Sequence, residues 1–164
     1  MSEEKYLAIY LNDHLAGSVA GIELAKRAAG NHEGTPVGEF LEQLVIDIDE
    51  DRAALEAIMD ELGVRKDLLK DAAAWMAEKV GRLKLNGKII GYSPLSHLVE
   101  LEGLALGVEG KLSLWRALQE VEDDYPALAN ADLERLAGRA KAQREGLERF
   151  RREAAAACLS AGTP

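Results

Sequence analysis

The chain has 164 residues, 48% of them hydrophobic and 30% charged, which suffices for one domain with a substantial core and falls short of two ordinary ones. Its formal net charge of -9 repels phosphate backbones and anionic lipid surfaces, so general nucleic-acid or membrane binding is disfavoured. The start, Met1 to Lys5, is acidic and carries no apolar leader core. No stretch reaches the roughly 18 uninterrupted apolar residues of a membrane span, and the expectation is a cytoplasmic protein.

Residues 5–29 predict the first helix, with Leu7, Leu11, His14, Ser18, Ile22, Ala25 and Ala29 at three- and four-residue spacing and Gly30-Asn31 at its end. Gly17, Ser18 and Gly21 fall on or beside that face, where small side chains let another helix or a ligand approach the backbone. Thr35-Pro36 supplies an N-cap and a first-turn proline for a second helix that runs to about Leu62. Its seam is Leu41, Leu44, Ile48, Asp51, Leu55, Ile58 and Leu62, broken only by Asp51, and Gly63 follows as a C-cap.

A shorter amphipathic segment over 67–85 places Leu69, Ala72, Met76, Val80 and Leu83 on one face. The stretch 86–92 has turn chemistry, and Ser93-Pro94 repeats the cap-plus-proline start. The third long helix is the most apolar, with Leu98, Leu101, Ala105, Val108, Leu112 and Trp115 on one stripe. Glu122 to Asp124 and Tyr125-Pro126 close it, and Asn130 or Asp132 caps the fourth helix. That helix extends to about Cys158 on the seam Leu133, Leu136, Ala140, Gln143, Leu147, Phe150 and Ala154, with a frayed tail over about 159–164. The single cysteine, Cys158, has no disulfide partner and reads as a small apolar packing residue.

No strand-like alternation of useful length interrupts this pattern, so the expected fold is all-α, one helical bundle over residues 1–164. Short connections make helices one and two antiparallel neighbours, and likewise three and four. About 30 residues separate helix two from helix three, and a helix over 67–85 spans about 28 Å at 1.5 Å per residue, enough to cross the bundle. Helix three then runs parallel to helix two. His14, Asp51, Glu109 and Gln143 lie at similar depth in their helices and are expected to share one layer.

This helix order, with one polar residue per helix at a common level, resembles the ferritin-like superfamily over most of the chain. In that family's di-iron members carboxylates converge on the bundle centre, with Glu-x-x-His on the second and fourth helices. None of the three histidines here, His14, His32 and His97, stands three residues after an acid. The resemblance is therefore one of architecture, a ferritin-like four-helix bundle with an additional helix in its long crossover.

Two readings of the layer follow. As a metal site it offers His14, Asp51 and Glu109, with Asp47, Glu102 and Gln143 as secondary ligands, suited to zinc, manganese or iron. As a buried polar network it needs counter-charges, since an unsatisfied buried polar group costs about 1–3 kcal/mol and a charge more. Helix two carries nine acids against Arg52 alone, while helix four carries seven basic residues, and an Asp51–Arg144 pair is expected to neutralise the layer. The arginines of helix four alternate with Glu145, Glu148 and Glu153 and read as a salt-bridged face. The primary functional expectation is a non-enzymatic binding or structural protein, homodimeric through an apolar helix face. A metal-dependent enzyme using the His/carboxylate set is the alternative, and a small-molecule cavity near Gly17, Gly21, Trp75 and Trp115 is a third possibility.

Overall fold

Helix starts in this chain are written in local chemistry. Thr35 Oγ1 accepts from Gly38 N at 3.1 Å and is followed by a proline, so an otherwise orphaned donor is met and the first helical φ is preset. Ser93 and Ser96 bond reciprocally, Ser96 N to Ser93 Oγ at 3.1 Å and Ser93 N to Ser96 Oγ at 3.3 Å, again ahead of a proline. Of the two expected caps for the last helix, Asp132 acts, from a left-handed conformation with φ 45°.

The computed structural model describes residues 3–67 and 91–161. Among them are four long helices: α1 (Glu3–Asn31), α2 (Pro36–Glu61), α3 (Pro94–Glu120) and α4 (Leu133–Leu159), with two short 3-10 turns, Glu122–Asp124 and Pro126–Asn130, between α3 and α4. No strand occurs among the described residues, and no helix there is long and apolar enough to cross a membrane. The amphipathic helix expected over 67–85, with Trp75 and Met76, lies outside the described residues except for Asp67.

The closest packing joins α1 to α2 and α3 to α4. α3 begins where α1 finishes, since Arg27 and Asn31 reach Glu100 and Leu24 meets Gly103. α3 therefore descends parallel to α2, and α4 rises antiparallel to both, bringing Phe150 to 5.2 Å from Phe40 between ring centroids. The end of α2 and the start of α3 stand at opposite ends of the bundle.

The core comes in two blocks. One gathers Ile22, Ala25, Leu41, Leu44, Ile48, Leu98, Leu101, Leu104, Val108, Leu147 and Phe150. The other gathers Leu11, Leu15, Leu55, Ile58, Met59, Leu112, Trp115, Leu118, Leu128, Leu133 and Leu136. The α4 seam is buried residue for residue as its periodicity predicts, and the α2 seam is buried as far as Ile58. α1 is rotated from its expected face: Leu15 and Ala28 are buried, whereas Leu7, His14 and Ser18 are only half-buried. Burying a leucine in place of the adjacent imidazole removes more apolar surface from water at no desolvation cost. α3 buries its predicted stripe except the half-buried Ala105, and Leu104, Leu114 and Leu118 besides, because it packs against both α1 and α4 and one seam does not cover two neighbours.

Two glycines are held by close approach. A side chain at Gly38 collides with the His32 backbone carbonyl, and one at Gly146 meets Phe40 Cε2 at 2.5 Å. Gly138, by contrast, is exposed within α4 and has open space around it. Gly138→Ala is expected to raise stability by about 0.5–1 kcal/mol through helix propensity, and Gly38→Ala to lower it by about 1–3 kcal/mol through overpacking. Urea-unfolding midpoints of the two variants, moving in opposite directions from wild type, check the packing of the α1–α2 corner.

Candidate functional site

The two core blocks meet at a polar layer. Asp51 lies one turn below Ile48 on α2 and is 2% exposed. Lys111, between Val108 and Leu112 on α3, donates from Nζ to Asp51 Oδ2 at 2.5 Å and to Gln143 Oε1 at 2.6 Å. Arg139, one turn before Gln143 on α4, holds Asp51 Oδ1 through both Nε, at 2.9 Å, and Nη2. Its Nη1 continues to Glu50 at 2.6 Å, and Gln143 Nε2 donates to Asp47 Oδ2 at 3.2 Å. Both oxygens of the buried carboxylate are thus met by cations from different helices. Burial pulls the Lys111 ammonium below its ordinary value, against the opposing pull of Asp51.

Among the described residues no α1 side chain bonds into this layer. Beside it α1 carries Gly17, Ser18 and Gly21 after His14, and the Ser18 hydroxyl is turned back onto the Leu15 carbonyl at 2.6 Å. Facing them, α3 carries Gly103, Gly107 and Gly110. The helices touch at Gly103, where a methyl group meets Leu24 at 3.1 Å; a methyl at Gly17, Gly21, Gly107 or Gly110 meets nothing within 4 Å outside its own helix among the described residues. The result is a cavity of about 510 Å³ between α1 and α3. Ile48, Leu55, Leu104, Val108 and Leu114 supply apolar wall, Asp51, Lys111 and Trp115 also line it, and His14 faces it from α1.

The expected site residues take separate places. Asp51 and Gln143 belong to the layer. Glu109 turns to the α4 side, accepts from Arg144 Nη1 at 2.8 Å and is half-exposed. Glu102 reaches Arg151 at 3.4 Å on the outside of the bundle, and Asp47 bonds Gln43 and Gln143. His14 stacks edge-on against Tyr10, centroids 4.6 Å apart. Among the described residues no group of three or more His, Cys, Asp or Glu is placed to hold a metal ion. The expected Asp51–Arg144 pair is replaced by Asp51–Lys111 and Asp51–Arg139, because Arg139 shares Gln143's face one turn earlier whereas Arg144 is rotated about 100° from Gln143 toward Glu109. Lys111 escaped the sequence reading, although a lysine within the most apolar helix was a readable signal.

A second polar cluster closes the end where α1 finishes. Glu100 is 8% exposed and accepts from Arg27 Nε and from the Tyr92 hydroxyl, each at 3.0 Å. With its one proton committed to Glu100, that hydroxyl accepts from His32 Nε2 at 2.7 Å. Burial, reinforced by Glu100, pushes the Tyr92 hydroxyl well above its ordinary value. The His32 and His97 rings lie 3.9 Å apart. Burial and then the neighbouring His32 lower His97, with Glu100 opposing, and burial lowers His14 against Asp13.

The chain matches no family model, no curated protein and no solved structure. The site therefore stands on its own geometry.

Two outcomes are expected. Lys111→Met leaves Asp51 half-partnered in the core and costs about 3 kcal/mol, while Asp51→Leu combined with Lys111→Met recovers most of that loss; a double-mutant cycle by chemical denaturation measures the coupling, and additive losses would refute it. For pH, His14 and His97 bind protons less readily when folded than their ordinary value of 6.5. The unfolded chain then takes up more protons as acidity rises, so stability carried by the neutral rings is whole above pH 6.5 and is lost as pH falls below it. Melting temperature should decline on acidification through that range, less steeply in the His14→Gln, His97→Gln double variant.

Proposed function

We propose that this protein is a non-enzymatic, ferritin-like bundle that binds a small apolar molecule between α1 and α3. The observation carrying the reading is the cavity. Apolar helix faces close on one another to crystal-like density unless their side chains prevent it, and here α1 and α3 leave about 510 Å³ open, within the roughly 300–1,000 Å³ of ligand pockets. The parallel run of α2 and α3 and their common polar layer support the ferritin-like shape. Metal chemistry draws less support: Asp51 already holds Lys111 and Arg139, Glu109 holds Arg144, and His14 is not grouped with them.

The cleft's construction also favours uptake from water. Leu106 is 76% exposed while belonging to the cavity lining, so an apolar ligand meets an apolar rim before it is enclosed.

Titration with Nile red, a neutral dye that brightens in apolar surroundings, tests the reading. One saturable site per chain is expected, and Gly17→Leu, whose side chain fills open space in the cleft, should weaken it by about tenfold or more. Gly138→Leu, on the far face of α4, serves as the control. Undiminished dye binding by a folded Gly17→Leu variant, or no saturable site in wild type, would overturn the proposal.

A further inference from the structure

The unspent hydrogen-bonding groups of the cleft define its ligand more narrowly. Trp115 lines the cavity and is 1% exposed, yet its indole Nε1 finds no acceptor among the described residues. An indole nitrogen only donates, and a buried donor left unmet loses its water without return. Lys111, in the same lining, spends two of its three N–H groups on Asp51 and Gln143. What the site lacks is an acceptor.

It does not lack charge. Inside the layer Asp51 is matched by Lys111, and the second cation, Arg139, is matched by Glu50. Toward the mouth Arg52 pairs with Glu56 at 3.0 Å and Arg27 with Glu100 at 3.0 Å. Of the other titratable groups in the lining, burial lowers the His14 ring's affinity for a proton against Asp13, Glu23 pairs with Lys26, and Asp13 is exposed to solvent. A ligand that brought its own charge to the Trp115 end would bury that charge without a counter-ion.

We infer that the cleft's ligand is a neutral carbonyl compound with an aliphatic body, its carbonyl oxygen accepting from Trp115 Nε1 and its chain lying along Ile48, Leu55, Leu104 and Val108. This rests on the reading of the cleft as a ligand site and narrows it to one chemical class. The oxygen replaces a lost water for the indole, and the aliphatic body covers the apolar wall left open by the glycines of α1 and α3. Along α3 the lining runs from Gly103 to Trp115, about 18 Å at 1.5 Å per residue, so an elongated molecule suits it better than a round one.

Four ligands of one chain length separate the possibilities by displacement of Nile red: nonane, methyl heptyl ketone, nonanoate and nonylamine. The ketone should bind about tenfold more tightly than nonane and more tightly than either ion. In the proton–nitrogen spectrum it should move the Trp115 indole resonance, identified by its loss in Trp115→Phe, while nonane leaves that proton's hydrogen-bond shift in place. Trp115→Phe should bring the ketone down to the affinity of nonane.

Equal binding of ketone and nonane in wild type would overturn the inference while leaving the cleft an apolar site. So would a ketone advantage that survives Trp115→Phe, or tighter binding of nonanoate or nonylamine. If none of the four displaces the dye, the cleft reading itself falls.

Discussion

Asp51 is the constraint around which the bundle is arranged. A carboxylate that is 2% exposed has lost its water, and the loss is tolerable only where cations stand in for it. Lys111 arrives from α3 and Arg139 from α4, so one side chain of α2 fixes the height at which three helices meet. Apolar seams alone slide by a turn at modest cost, since leucine replaces leucine. A slide of the Asp51 level past Lys111 and Arg139 separates buried charges, which makes this layer a register mark in an otherwise uniform core.

The fourth helix answers the layer in a different way. Where α2, α3 and α4 bring charged side chains that bond across the layer, α1 brings none, and beside His14 it lines the adjoining cavity with Gly17, Ser18 and Gly21. The space those side chains would have occupied remains between α1 and α3, beside the ion pairs that hold the other helices together. Cavity and polar layer are thus two results of one asymmetry. The same asymmetry keeps the layer's charged groups engaged with one another and leaves the indole of Trp115 with an unmet donor beside the cavity.

Much of this was readable in the sequence. The seams of α2 and α4 were legible because each buries one narrow face, so a single period describes it, and the Thr35-Pro36 and Ser93-Pro94 starts were legible because capping depends on neighbouring residues alone. Asp51 and Gln143 stood out as polar breaks in those seams. Lys111 was hidden because a long side chain can bury its stem and turn its ammonium inward from a position that looks peripheral. Arg139 and Arg144 were confused because choosing between arginines five residues apart requires the rotation of α4, which its neighbours set. On α1 the small residues were noticed, but whether they produce contact or space depends on the facing helix, and α3 answers glycine with glycine.

The paired proline-led starts have an electrical consequence. Because α2 and α3 begin at one end and α1 and α4 finish there, the described helices place two N-termini and two C-termini at each end of the bundle. Helix termini act as roughly half an elementary charge each, positive at the start and negative at the finish, so the four contributions cancel at both ends. The four described helices therefore give the bundle no net backbone polarity. Side chains distinguish the two ends: Arg27, His32, His97 and Glu100 at one, and Glu122, Asp123, Asp124 and Asp132 at the other. Any molecule approaching along the long axis therefore meets arginine, imidazole and a buried glutamate at one end and a run of carboxylates at the other.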